Sequence, residues 1–196
     1  MNQQFETAWR LDRFFTDRGI PYAIIGGFAV QRWGQPRFTR DVDVTILLPP
    51  GSEAATLREI VAVFPARVED PVAFALEHRV LPLSVPGGSE ADVSLGLPGY
   101  EEEVITRAVA YDLGGGRAVR VCSAEDLVIH KALAGRAQDV LDIEGIVARQ
   151  GKALDVVYVR RWLTELCRQR RSRGAGTLRA HLGRDRPSRV MTYPGG

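Results

Sequence analysis

Residues 38–48, Phe-Thr-Arg-Asp-Val-Asp-Val-Thr-Ile-Leu-Leu, limit what this chain can fold into more than any other stretch. They read as a strand closed by Pro49-Pro50. Side chains alternate faces along a strand, so Asp41 and Asp43 point one way while Val42, Val44 and Ile46 point the other. The apolar side needs a core, which makes this a sheet strand with one buried face. The two carboxylates then share the opposite face, where they repel each other and lose solvation. A divalent cation relieves both penalties, and Mg²⁺ prefers hard oxygen ligands, usually one or two carboxylates plus substrate phosphates. Taken alone, Asp-x-Asp equally describes an edge strand with two solvated acids.

The rest of the chain supplies an α/β frame for that strand. Phe5, Ala8, Trp9, Leu11, Phe14 and Phe15 recur at helical spacing and stop at Gly19, a fitting helix terminator, with Pro21 barring continuation. Residues 22–25 read as a short buried strand, broken by Gly26-Gly27, and 28–33 as a short helix. An amphipathic helix over 52–64 follows, then short strands near 66–69 and 79–85 with a helical turn at 72–77 between them. A strand at 91–95, a helix at 100–107 and a hairpin over 108–121 around Gly114-Gly115-Gly116 complete the first part. Ser123 reads as a helix N-cap with an acid three residues on. Helices are predicted to about Ala134, from Ala137 to Gln150 and from Asp155 to Leu166. This gives an α/β core over 1–121, a helical part over 122–167, and a tail over 168–196 expected to be disordered.

The overall charge of +2 conceals an asymmetry. From Arg168 to Gly196 there are eight Arg and one Asp, a net of +7, which leaves the remaining 167 residues at −5. Such a tail is either a solvated terminus or a contact for nucleic-acid phosphates. No run of 18 apolar residues occurs and the N-terminus lacks signal-peptide character, so no membrane partner and a cytoplasmic location are expected. Cys122 and Cys167 stand alone and read as free thiols. His78, His130 and His181 lack zinc-site spacing, and His130 reads first as a solvated helix position, with a place lining the cleft as the alternative. Walker, dinucleotide and Gly-x-Ser-x-Gly patterns are absent.

Gly26-Gly27 adds meaning to the acids. The pair sits between a strand and a helix, where bare backbone N–H groups can approach an anion, although a tight turn alone would also explain it. The order strand, Gly-Gly, short helix, then a strand with Asp-x-Asp resembles the DNA polymerase β-like nucleotidyltransferase superfamily. The fuller string, Gly26-Gly27-Phe28-Ala29-Val30 followed by Arg37-Phe38-Thr39-Arg40-Asp41-Val42-Asp43-Val44, resembles its minimal bacterial members, among them AbiE-type toxins. The superfamily places a third carboxylate on a later strand. Asp92 in Glu90-Ala91-Asp92-Val93 is the better match, with Glu90 the competitor of equal parity. The stretch from Glu125 through Lys131 to Asp142-Ile143 resembles the later motifs of the same toxin-like group, in which a Lys and a helical Asp complete the nucleotide site. Lys131 and Asp139 match those positions, and Asp142 shares the Asp139 face. An internal Lys–Asp or Arg–Asp pair tying two helices together is the other reading.

The resemblance implies a mixed β-sheet nucleotidyltransferase core followed by a C-terminal helical bundle that closes a cleft. It implies transfer of a nucleoside monophosphate from a nucleoside triphosphate (NTP) to an acceptor with Mg²⁺ or Mn²⁺. Asp41, Asp43 and Asp92 would hold the metal, and Gly26, Gly27, Lys131 and Asp139 would serve the nucleotide. RNA such as tRNA, or a protein hydroxyl, is the expected acceptor, with a cognate antitoxin as partner. The alternatives are a non-catalytic nucleotide-binding or antitoxin module, an enzyme for small molecules such as antibiotics, and an RNA-binding protein with incidental acids.

Overall fold

The structure, a computed structural model, describes residues 2–182, with side chains through Gln169. Helix α1 (Gln3–Asp17) starts where the Asn2 side chain accepts the Gln4 N–H at 3.0 Å, and it buries Leu11, Phe14 and Phe15. The chain turns at Gly19 with φ +64 and enters strand β1 (Tyr22–Ile24), which is buried throughout. Phe15 packs on the Tyr22 ring at 5.4 Å, and the Tyr22 hydroxyl donates to Asp12, which docks α1 on the sheet. Helix α2 (Gly26–Trp33) follows β1 directly, so the Gly pair belongs to its first turn.

Strand β2 (Asp41–Ile46) is shorter than the 38–48 stretch suggested, because the backbone at 38–40 leaves the ladder before the first acid. Helices α3 (Glu53–Val63) and α4 (Pro71–His78) and strand β3 (Val80–Ser84) then carry the chain to β4 (Glu90–Leu95). Strand β4 pairs parallel with β2, a pairing that requires such a long connection. The strand expected at 66–69 is reduced to a single bridge between Ala66 and Leu83, since Pro65 before it offers no N–H and Asp70 soon caps α4. After α5 (Tyr100–Thr106), strands β5 (Val109–Gly114) and β6 (Arg117–Val121) form the expected hairpin. The sheet is mixed, in the order β3-β4-β2-β1-β6-β5.

Register sets the faces. Tyr22 and Ile24 pair with Ile46 and Val44, and Val42, Val44 and Ile46 align with Ala91, Val93 and Leu95. These residues are all buried, on the side that α1 covers. Asp41, Asp43 and Asp92 have the opposite parity and lie on the other side.

Three further helices follow: α6 (Ala124–Ala134), α7 (Ala137–Gln150) and α8 (Val156–Leu182). Helix α8 runs past the expected end at Leu166, so the backbone of the basic stretch is helical to Leu182; the remainder of the expected disordered tail, 183–196, lies outside the described residues. The Ser123 side chain caps α6 by accepting the Asp126 N–H at 3.1 Å. Asp126, fully buried, accepts from Ser123 Oγ at 2.6 Å, Tyr158 Oη at 2.8 Å, Tyr100 Oη at 3.3 Å and Arg107 Nε at 3.3 Å. One carboxylate thereby joins the ends of α5, α6 and α8. Trp33 Nε1 donates to the Cys122 carbonyl, and Arg149 and Gln150 donate to the carbonyls of Gly34 and Trp33, so the helical part is also fastened to α2. Cys122 is buried and Cys167 exposed, both as free thiols, and among the described residues no helix is long and apolar enough to cross a membrane.

Asp126→Ala strips four buried or half-buried donors of their acceptor. A loss of about 3–5 kcal/mol is expected for breaking a buried charged network from one side. At about 2–4 °C per kcal/mol for a chain of this size, Tm should fall by roughly 6–20 °C in a calorimetric melt. A melt within about 2 °C of the parent would mean that the donors find equivalent partners, and that Asp126 is not the tie.

Candidate active site

Asp43 and Asp92 are register partners across the parallel pair, and Asp41 is the partner of Glu90. The pairing brings one carboxylate oxygen each from Asp41, Asp43 and Asp92 within 4.8 Å of one another. Glu90, with a side chain 56% exposed, is drawn outward to Arg67 at 3.2 Å and is not part of this group. Burial pushes the Asp43 carboxyl up to about 6, with the neighbouring charges of Asp41 and Asp92 adding to the rise and the Gly27 N–H and Lys131 opposing it. Asp92 is also raised, first by burial; Arg67, whose guanidinium sits 2.5 Å from its carboxylate, works against that. Asp41 is steadied by Thr39, whose hydroxyl donates to its carboxylate at 3.0 Å.

The glycines are needed where they stand. Gly26 has φ +63, and a Cβ there would lie 1.9 Å from Asp43 Oδ2. A Cβ on Gly27 would lie 2.7 Å from Thr39 Oγ1. The first turn of α2 therefore packs directly against Asp43 and against the side chain supporting Asp41. The Gly27 N–H is a hydrogen-bond partner of Asp43.

The helices furnish the facing wall. Helix α6 ends at Gly135, with φ +66, and the turn brings the start of α7 back beside Lys131. Lys131 is buried, with Nζ 2.8 Å from Asp139 and 2.7 Å from Asp142. Asp139 also accepts the Arg136 N–H at 3.1 Å, closing the first turn of α7. Arg37 grips both oxygens of Asp142 at 2.8 Å. Burial would raise the Asp142 carboxyl, but hydrogen bonds from Arg37, Lys131 and Gln138 outweigh it and hold the group well below the usual carboxylate range. The internal ion pair read from the sequence is thus present, and it includes Arg37. Lys131 and Asp139 nonetheless line the same cavity of about 440 Å³ as Gly26, Gly27 and the three acids.

His130 takes the second of its two readings. It lines this cavity rather than bulk solvent, and its Nε2 is buried. Burial holds the imidazole below its ordinary range, so it is neutral near pH 7. Arg67 was not singled out in the sequence, because nothing local ties an Arg after α3 to an acid 25 residues on. The one available signal was helical parity, which sets His130 beside Lys131 but does not say which wall it faces.

The raised Asp43 carboxyl carries a pH consequence. Its folded value, about 6, exceeds the ordinary 3.8, so the folded chain binds more protons between these values and stability falls as pH rises through that window. Above about pH 6 the loss is complete. At about 1.4 kcal/mol per pK unit, and discounted for partial solvent contact, it is on the order of 1–2 kcal/mol. Asp43→Asn should therefore raise Tm by about 2–8 °C at pH 7.5 in a chelator and give no gain at pH 4. Added Mg²⁺ should raise the parent's Tm and leave the variant's unchanged; an equal rise in both would remove Asp43 from the ion-holding set. Gly26→Ala should displace Asp43 and abolish the same Mg²⁺ response.

The comparisons with known proteins concern the fold and the family. The fold is similar to that of an antigenic nucleotidyltransferase-like protein from Paracoccidioides brasiliensis, at 20% identity and a TM-score of 0.52, with 87% of this chain and 90% of that chain covered. It is also similar to the antibiotic-resistance factor ANT(2'')-Ia, at 16% identity and a TM-score of 0.51, with 91% and 96% covered. At these identities the likeness concerns the fold alone. No curated protein matches the chain. The sequence profile of the family described as "Nucleotidyl transferase AbiEii toxin, Type IV TA system" matches residues 13–187, nearly the whole chain. With the sheet, the Gly turn and the acid group arranged as they are, the chain belongs to the AbiEii nucleotidyltransferase toxin family.

Proposed function

We propose that this chain transfers a nucleoside monophosphate from an NTP to a hydroxyl of an RNA such as tRNA, or of a protein, releasing pyrophosphate, using Mg²⁺ or Mn²⁺. On this reading it acts in the cytoplasm as a toxin restrained by a cognate antitoxin. The observation that carries the reading is the group formed by Asp41, Asp43 and Asp92, with oxygens within 4.8 Å, facing the first turn of α2. The donor set fits a hard divalent ion: it is all carboxylate, and burial together with the like charges of Asp41 and Asp92 raises Asp43 to about 6, a penalty that a bound cation would relieve. Ions held by these acids would stabilise charge on the phosphoryl and leaving oxygens.

The chain's own groups do the rest. The backbone at Gly26 and Gly27, at the positive end of α2, holds the β and γ phosphates. Lys131 directs its ammonium at the triphosphate; two of its N–H groups are engaged by Asp139 and Asp142, and a third serves a phosphate oxygen. Asp139 acts through Lys131 as a positioning residue. Asp92, at the margin of the acid group, accepts the proton of the acceptor hydroxyl, and Arg67 keeps its carboxylate aimed. Residues 1–121 form the core that holds these acids, and the helices over 122–167 close the cleft above them.

Incubation with each labelled NTP, Mg²⁺ and a cell extract tests the proposal, with label expected in RNA or protein. Label confined to small molecules would move the acceptor to that class. Nucleotide binding without any labelled product would favour a non-catalytic module. Asp92→Asn should bind NTP and Mg²⁺ nearly as the parent does yet label its acceptor roughly 10²–10⁴-fold more slowly, the pattern of an interaction used mainly in the transition state. If Glu90→Gln alone separates binding from rate, the proton acceptor is the other acid.

A further inference from the structure

The cations that line the acid cleft, Arg37, Lys131 and Arg136, are not equally available. Arg37 is held by both oxygens of Asp142 at 2.8 Å. Lys131 Nζ lies 2.8 Å from Asp139 and 2.7 Å from Asp142. Arg67, which touches the acid group from one side, is held by Glu90 and Asp92. Each of these charges is already matched by a carboxylate. Arg136 differs. Its backbone N–H donates to Asp139 at 3.1 Å, while its side chain is exposed and has no ion-pair or hydrogen-bond partner among the described residues.

The charge of the cleft says what that guanidinium can serve. Arg37 and Lys131 cancel against Asp139 and Asp142, so without Arg136 the helical wall is neutral. A triphosphate is strongly negative, and the start of α2 meets it with backbone N–H groups and a partial charge only. Depth gives the order along the phosphates. Lys131 is buried, whereas Arg136 is exposed on the turn between α6 and α7, so a triphosphate leading away from the acids meets Lys131 first and Arg136 at the mouth. The neighbouring cavity of about 340 Å³, walled by Tyr100, Glu101, His130 and Leu166 among others, holds an acid and neither Lys nor Arg, and offers a phosphate no counter-charge. A planar guanidinium presents paired N–H groups that fit two phosphate oxygens at once, and the terminal phosphate has the most free oxygens and the most charge. Resting on the nucleotidyltransferase reading of the cleft, we propose that Arg136 holds the terminal phosphate of the NTP and makes the site prefer triphosphates to diphosphates.

The test is calorimetric binding to the full chain, with Mg²⁺, of the NTP that the parent binds most tightly, the matching diphosphate and inorganic tripolyphosphate. The proteins are the parent, Arg136→Gln, Arg136→Lys and Arg58→Gln. The Arg136 side chain is exposed and only its backbone joins the first turn of α7, so both variants should melt within about 2 °C of the parent. Arg58, exposed on α3 and not part of the cleft lining, is the control for net charge. Arg136→Gln should bind NTP and tripolyphosphate roughly ten- to a hundredfold more weakly and the diphosphate less than about threefold more weakly. Arg136→Lys keeps the charge without the fork and should recover part of the loss. Arg58→Gln should match the parent. The proposal is overturned by an NTP affinity within about twofold of the parent in Arg136→Gln, by equal losses of NTP and diphosphate, by an equal loss in Arg58→Gln, or by an Arg136→Lys no better than Arg136→Gln. Unchanged NTP affinity with a raised KM for the acceptor would assign the guanidinium to the acceptor and overturn it too. A parent that binds neither NTP nor tripolyphosphate overturns the reading of the acid cleft itself, a distinct result.

Discussion

Asp43 and Asp92 are register partners in the parallel pair β2–β4, and that alignment determines what the rest of the cleft can be. Three buried residues of β2, Val42, Val44 and Ile46, lie level with Ala91, Val93 and Leu95 of β4 and enforce it. A slip of one residue would turn either set of apolar side chains to the wrong face, at a hydrophobic cost of several residues at roughly 1.5–3 kcal/mol each. The strongest force in the fold therefore holds together three carboxylates that would separate if free. Gly26 is the local expression of the same constraint. Asp43 stands so close to the start of α2 that no side chain fits between them, and the chain meets this with a residue that has none and tolerates φ +63.

Much of this arrangement was legible in local pattern. Strand parity put Asp41 and Asp43 on one face, the Gly pair marked the turn, and the cap at Ser123 marked the start of α6. The resemblance put Asp92 ahead of Glu90, but strand parity could not separate them, because both have the same parity. It is register against β2 that separates their surroundings: Asp92 lies level with Asp43, and Glu90 level with Asp41 at the exposed start of β4. Arg37 and Asp142 lie 105 residues apart, and Arg67 and Asp92 lie 25 apart, across a connection whose path no periodicity reveals. The expected strand at 66–69 and the expected helix end at Leu166 failed for related reasons. Apolar content near Ala66 reflects one bridge to β3, and α8 continues through a stretch with weak amphipathic pattern.

The sheet and the helices treat charge differently. Arg37, Lys131, Asp139 and Asp142 carry equal charge of both signs, and each member has a close partner. That network holds its cations in place with little net field. The acid group has no such balance: Arg67 reaches Asp92 and Glu90 from one side, while Asp41 and Asp43 rely on Thr39 and on the backbone of Gly27. The demand for positive charge is therefore localised on β2 and β4, where the hydrophobic core makes relaxation hardest. Stability is lowered there, and on the proposed function that cost is offset when a cation binds.

The same asymmetry explains why a residue remote from the cleft matters to it. Lys131 faces Asp43 only because α6 is fixed at both ends. Its C-terminus is fixed by the Gly135 turn and the Asp139 and Asp142 pairs, and its N-terminus by Asp126. Asp126 gathers hydroxyls from α5 and α8 as well as the cap serine, so the start of α6 cannot shift without breaking contacts in both neighbours. Tyr100, one of those contacts, also forms a wall of the cavity beside His130. A displacement at Asp126 would thus reach the ammonium and the imidazole together, one residue apart on the same helix. The buried carboxylate of the helical half fixes where its polar groups stand, as the β2–β4 register fixes the acids of the sheet.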